Sequence, residues 1–292
     1  MTSTRNPPTM VKTALQQITF ASDLTARGDR ALDRSLMLAR THLAALSAVH
    51  VIDSILLPEK LLPRELREAK ARLQQEMLEA GTENIRPVSV RALTGEVPEA
   101  IVRYASATRS DLIVMGSADY SKLGAAFRGT TIDRVVRIAD CPVLAVKTRP
   151  RHEYDAIVIA VDQGPASQQA LVLALNVFPR ARVTVIHVDE PVAGQRVNIE
   201  VRKEVEEIVR LACATAKRPL PGNSKGPTIV VKRGRALDVL PDAIVRHRPD
   251  LVVLGTHGRR GIAKLILGSV AEALLGALPF DVLVTRGHRR GG

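Results

Sequence analysis

The run Asp111-Leu112-Ile113-Val114-Met115-Gly116 returns as Asp250-Leu251-Val252-Val253-Leu254-Gly255, an offset of 139 positions. The same offset relates Ile18-Thr19-Phe20-Ala21-Ser22-Asp23 to Ile157-Val158-Ile159-Ala160-Val161-Asp162, and Gly129-Thr130 to Gly268-Ser269. It also relates Cys141-Pro142-Val143-Leu144-Ala145-Val146 to Phe280-Asp281-Val282-Leu283-Val284-Thr285. Internal repetition constrains architecture more than any local pattern, because each copy must bury its apolar faces in the same way. One offset shared by separate segments predicts a tandem of two copies of one domain, residues 1–149 and 150–292. The boundary falls in the polar stretch Thr148-Arg149-Pro150-Arg151-His152-Glu153, where few contacts need cross.

Within each copy, short aliphatic runs alternate with amphipathic helical segments. In the first copy the pattern predicts strands at 16–21, 45–52, 86–92, 111–116 and 142–147, and helices at 26–42, 60–80, 96–108 and 130–139. In the second, strands fall near 155–161, 181–188, 227–233, 250–255 and 281–285. The chain has no Trp, four Phe and three Tyr, so its cores are aliphatic. Continuous Val, Ile and Leu runs are the mark of strands buried on both faces of a parallel sheet. Strand and helix in alternation imply an α/β fold with helices on both sides, and such sheets bind ligands at the carboxyl ends of their strands.

Charge and cysteine content narrow the function classes. The net charge of +12 invites a nucleic-acid reading, but the excess divides as +5 over residues 1–150 and +7 over 151–292, so no single basic lobe exists. Aromatic residues, the stacking platforms of single-strand binders, make up 2% of the chain. The basic stretches Lys232-Arg233-Gly234-Arg235 and Arg286-Gly287-His288-Arg289-Arg290 are short and read as solvated surface. Cys141 and Cys213 are too few for a disulfide framework or a Cys-rich metal site, and are expected to be reduced. The N-terminus is polar and no window approaches the ~18 apolar residues of a membrane span, so a cytoplasmic location is expected.

The segment that carries chemistry follows the fourth strand of the second copy: Gly255-Thr256-His257-Gly258-Arg259-Arg260-Gly261-Ile262-Ala263-Lys264-Leu265-Ile266-Leu267-Gly268-Ser269. A glycine lets an anionic ligand approach backbone N–H groups that a Cβ would shield. The helix opened by Ser269 adds free amides and the positive end of its dipole. A strand, a glycine, two residues, a second glycine, nine residues, Gly-Ser and a helix together suit the phosphates of a nucleotide. A purely structural alternative stands beside this one: Ser269 with Glu272 matches a capping box, which needs no ligand. The segment lacks the P-loop and Rossmann dinucleotide motifs.

That spacing resembles the ATP-binding universal stress proteins, and the resemblance extends along nearly the whole chain as a tandem. Further landmarks are the aspartate closing the first strand, Asp162 and Asp23, and the His-Val pair ending the second, His187-Val188 and His50-Val51. The resemblance implies two tandem domains, each a five-stranded parallel sheet flanked by helices, Rossmann-like in class. It assigns Ala160, Asp162 and Val188 to a nucleoside, and Gly255, Gly258, Gly268, Ser269 and Val270 to ribose and phosphates. The implied cofactor is ATP, with Mg an optional companion of its phosphates. The implied assembly is an intramolecular pseudo-dimer joined through the last strands, Val143–Val146 against Val282–Thr285, with homodimerisation beyond it.

The first copy departs from this pattern at Asp119, which stands where the second glycine is expected. A carboxylate there would oppose phosphates, so tight ATP binding is not expected of the first copy; an Asp119 turned to solvent would leave it usable. A weaker first-copy site would draw on Asp23, Val51, Gly116, Gly129 and Thr130. Arg259, Arg260 and Lys264 can neutralise phosphate or simply solvate the surface. His257 has no partner in sequence for general-base work, and no metal ligands surround His50 or His187, which are expected to steady strand ends. Neither a nucleophile nor dedicated metal carboxylates accompany the loop, so the expected protein is a nucleotide-dependent regulatory, stress-response module and not an enzyme. The alternatives are a nucleotide-independent structural or protein-interaction module, and a slow ATPase or phosphotransferase.

Overall fold

A computed structural model describes residues 15–53, 58–82, 84–85, 87–117, 130–162, 164–190, 199–220, 222, 226–256 and 268–286. The first half runs β1 (Gln17–Ser22), α1 (Ala26–His42), β2 (Ala45–Ile52), α2 (Leu62–Glu79), β3 (Val88–Thr94), α3 (Val97–Ala107), β4 (Leu112–Gly116), α4 (Thr131–Ile138) and β5 (Val143–Val146). The second runs β6 (Ala156–Val161), α5 (Pro165–Val177), β7 (Arg182–Asp189), α6 (Ile199–Thr215), β8 (Thr228–Arg233), α7 (Ala236–His247), β9 (Leu251–Thr256), α8 (Ser269–Ala277) and β10 (Asp281–Arg286).

Each half holds five parallel strands, but they do not form two separate sheets. β5 and β10 pair antiparallel, with Val282 opposite Ala145, Leu283 opposite Leu144 and Val284 opposite Val143. The result is one ten-stranded sheet ordered β3-β2-β1-β4-β5-β10-β9-β6-β7-β8. The inner strands are buried on both faces, which is why their sequences read as unbroken aliphatic runs. β3 and β8, the outer strands, are only partly buried.

Alternation along the strands divides the core into two layers. Leu112, Val114, Leu144 and Val146 face the layer formed by Leu36 of α1, Leu73 of α2, Leu171 of α5 and Val205 of α6. Ile113, Met115, Val143 and Ala145 face Ile101 of α3, Val135 of α4, Ile244 of α7 and Leu274 of α8.

The linker is bolted down, in contrast to the sparse crossing expected there. Asp281, fully buried, accepts hydrogen bonds at Oδ1 from the Lys147 amide (2.8 Å) and from the Thr148 amide and hydroxyl (both 3.0 Å). Its Oδ2 accepts from the Tyr154 hydroxyl at 2.6 Å. Arg34 stacks 3.7 Å from the Tyr154 ring centre and donates to the His152 carbonyl. Lys147 Nζ donates to the Leu275 and Leu278 carbonyls at the end of α8. The reason is geometric: a chain leaving β5 to start β6 crosses the shared sheet, and its buried polar groups there need partners.

Candidate functional site

Strand order locates the site. In the second half the chain proceeds outward from β6 through β7 to β8 on one side, and occupies β9 and β10 on the other. The reversal lies between β6 and β9, and the crevice beyond the carboxyl ends of such a pair is where open α/β sheets bind ligands. Asp162 follows β6, Gly255 and Thr256 end β9, and Val188 lies near the end of β7.

Asp162 is built into the turn that starts α5. Its Oδ1 accepts the Gly164 amide at 2.8 Å, and its own amide donates to Ser167 Oγ at 3.1 Å. Asp23 does the corresponding work in the first half, accepting at Oδ1 from the Thr25 amide (3.1 Å) and hydroxyl (2.7 Å). The histidines are matched too: His187 Nδ1 donates to the Val161 carbonyl and His50 Nδ1 to the Ser22 carbonyl, each at 2.9 Å. Both therefore tie the second strand of their half to the end of the first, the strand-end role expected for them.

Ala160, Val188 and Val270 are each partly buried and pack against the same core layer. The first-half counterparts Ala21 and Val51 pack in the same layer, at 8% and 7% exposure. Asp23, the first-half counterpart of Asp162, is exposed, whereas Asp162 is partly buried.

Helix entrances differ as well. α4 is capped by Thr130, whose Oγ1 accepts the Asp133 amide at 3.3 Å. α8 has Gly268 as its N-cap, no side-chain cap, and Ser269 exposed in its first helical position. The first helical hydrogen bond of α8 runs from the Glu272 amide to the Gly268 carbonyl, so the amides of Ser269, Val270 and Ala271 precede the helical ladder. The capping box that Ser269 and Glu272 could have formed is not made. Glu272 Oε2 instead accepts from Arg137 of the first half at 2.7 Å.

Gly255 has a different reason from the one its sequence context suggested. A Cβ there would lie 2.7 Å from the Ser167 nitrogen and 2.8 Å from the Ala166 carbonyl carbon and oxygen. The missing side chain admits the first turn of α5. Around Gly268, by contrast, a Cβ would meet nothing within 4 Å. Gly116 ends β4 at the matching first-half position. Gly258, Gly129, Asp119, His257, Arg259, Arg260 and Lys264 lie outside the described residues. Among the described residues no three His, Cys, Asp or Glu side chains form a metal-holding group, and no helix is long and apolar enough to cross a membrane.

The universal stress protein family model matches the chain twice, over residues 14–147 and 153–286. Universal stress protein E of Escherichia coli is 27% identical over 219 residues, covering 68% of each chain. A universal stress protein of Mycobacterium tuberculosis is 26% identical over 188 residues, covering 61% of this chain; the chain spans 62% of the length of that relative. Among solved structures, a universal stress protein from Archaeoglobus fulgidus superposes over 93% of this chain and 98% of its own, with a TM-score of 0.71 and 16% identity. One from Pseudomonas aeruginosa covers 94% of each chain with a TM-score of 0.64 and 18% identity, a likeness of fold alone. With both halves matched, the chain belongs to the universal stress protein family.

Proposed function

We propose that the chain is an ATP-binding regulatory member of this family, with one nucleotide site, in the second half. The observation that carries the reading is the entrance of α8: a helix start without a side-chain cap, beside the strand-order reversal of its half. Amides at such a position favour phosphate through direct hydrogen bonds and the helix dipole. Ala160 and Val188, partly buried at the carboxyl ends of β6 and β7, would offer apolar contact to a purine. Ser269 and Val270 would serve the phosphates, Asp162 the nucleoside, and Gly258 and Gly268 the close approach of the loop. Mg would travel with the phosphates. The output is a conformational or partner-binding change in a stress response, not rapid turnover.

Gly255 favours a second reading, in which the glycines serve packing alone and no nucleotide binds. Calorimetric titration of the full-length protein with ATP separates the two. One nucleotide per chain is expected, and no uptake at millimolar ATP would leave the interaction-module reading standing. Gly258→Asp, which copies Asp119 of the first half into the second, is expected to weaken ATP binding at least tenfold, about 1.4 kcal/mol. Unchanged affinity would contradict the charge argument.

A further inference from the structure

Positions 133 and 272 correspond across the 139-residue repeat, and both are acidic: Asp133 on α4 and Glu272 on α8. One cation from the first half serves them both. Arg137 Nε donates to Asp133 Oδ1 at 3.0 Å and Arg137 Nη2 to Glu272 Oε2 at 2.7 Å. The position corresponding to Arg137 in α8 is Gly276, so α8 itself supplies no equivalent. The contact is largely sheltered, with the Arg137 side chain 24% and the Glu272 side chain 15% exposed. Burial works against the guanidinium charge, but bonding to Glu272 and Asp133 outweighs it and holds the Arg137 pKa above its ordinary value.

Glu272 lies in the first turn of α8. Released from Arg137, a carboxylate there has two ways to spoil an anion site: it can turn back onto the helix entrance as in a capping box, or it can repel an approaching polyphosphate. We infer that Arg137 is a positioning residue for the second-half site, acting across the seam to draw the Glu272 carboxylate aside and offset its charge. The first half, which caps its own α4 with Thr130, would then complete the site of the second. This inference rests on the nucleotide reading above and adds a cross-half requirement to it.

The test measures ATP and adenosine binding to full-length protein at low salt for wild type, Arg137→Met, Glu272→Gln and the double variant. Arg137→Met is expected to weaken ATP binding about five- to tenfold, the effect of a newly exposed like charge some ångströms from the phosphates. Adenosine, which carries no phosphate, should bind unchanged. Adding Glu272→Gln to Arg137→Met should restore ATP affinity to within about twofold of Glu272→Gln alone, because the offending charge is then gone. Equal losses for ATP and adenosine, or no recovery in the double variant, would overturn the inference. Wild-type ATP binding with unchanged Arg137→Met affinity would overturn it while leaving the nucleotide reading intact. A wild-type protein that takes up no ATP removes both. Should Arg137→Met fail to fold, Glu272→Gln alone decides: ATP affinity at or above wild type supports the inference, and reduced affinity overturns it.

Discussion

A methyl group on Gly255 would press into the backbone of Ala166 and Ser167, with neither partner able to swing away. Gly255→Ala is therefore expected to cost roughly 2 kcal/mol in urea denaturation, by overpacking, whether or not nucleotide is present. A midpoint equal to wild type would refute the packing role. Cys141 gives a second residue-scale expectation: burial pushes its thiol up to about 12. Because the thiolate is the reactive form, iodoacetamide at pH 8 should modify Cys141 far more slowly in native protein than in urea, and native reactivity should climb only as pH nears 12. At this scale the sequence revealed which positions matter more readily than why. The strand-end role of His187 was legible because its chemistry is in its side chain, whereas the turn that Asp162 holds before α5 was not foreseen. The packing role of Gly255 was not legible, because a glycine records only that a Cβ is excluded, and what excludes it comes from a helix elsewhere in the chain.

The helices α4 and α8 begin with nearly the same residues, Gly129-Thr130 and Gly268-Ser269, yet their starts differ by one position. Thr130 is a working N-cap, while Ser269 sits one place inside its helix with Gly268 before it. Thr130→Ala should therefore cost about 1 kcal/mol of stability, and Ser269→Ala close to nothing in the absence of ligand. Equal losses in denaturant titrations of the two variants would show that the helices are capped alike. Most elements were legible from periodicity, since each strand and helix is patterned by the layer it faces. β3 runs two residues later than expected, Val88–Thr94, as a partly buried edge strand whose pattern gives weaker bounds. The linker was not legible. Its partners, Asp281, Arg34 and Lys147, are set by the seam, and no local composition shows that Asp281 of β10 will be buried against the chain leaving β5.

The ten-stranded sheet and the Asp281 network make the two halves one body, and heating should reveal this as a single calorimetric transition. Asp281→Ala strands the Tyr154 hydroxyl and the Lys147 and Thr148 amides, a loss of about 3 kcal/mol. That variant should split or broaden the transition as the halves lose registry. Two well-separated transitions in the wild type would contradict the shared core. The antiparallel joint between β5 and β10 also changes how such a protein can respond. Paired subunits held by separate chains come apart on dilution, and mass action can be used as a signal. Here the partner is tethered by the chain itself at a fixed effective concentration, and expression level cannot tune the pairing. What remains for regulation is the proposed nucleotide occupancy of the second half and the faces outside the joint, with β3 and β8 left at opposite ends of the sheet.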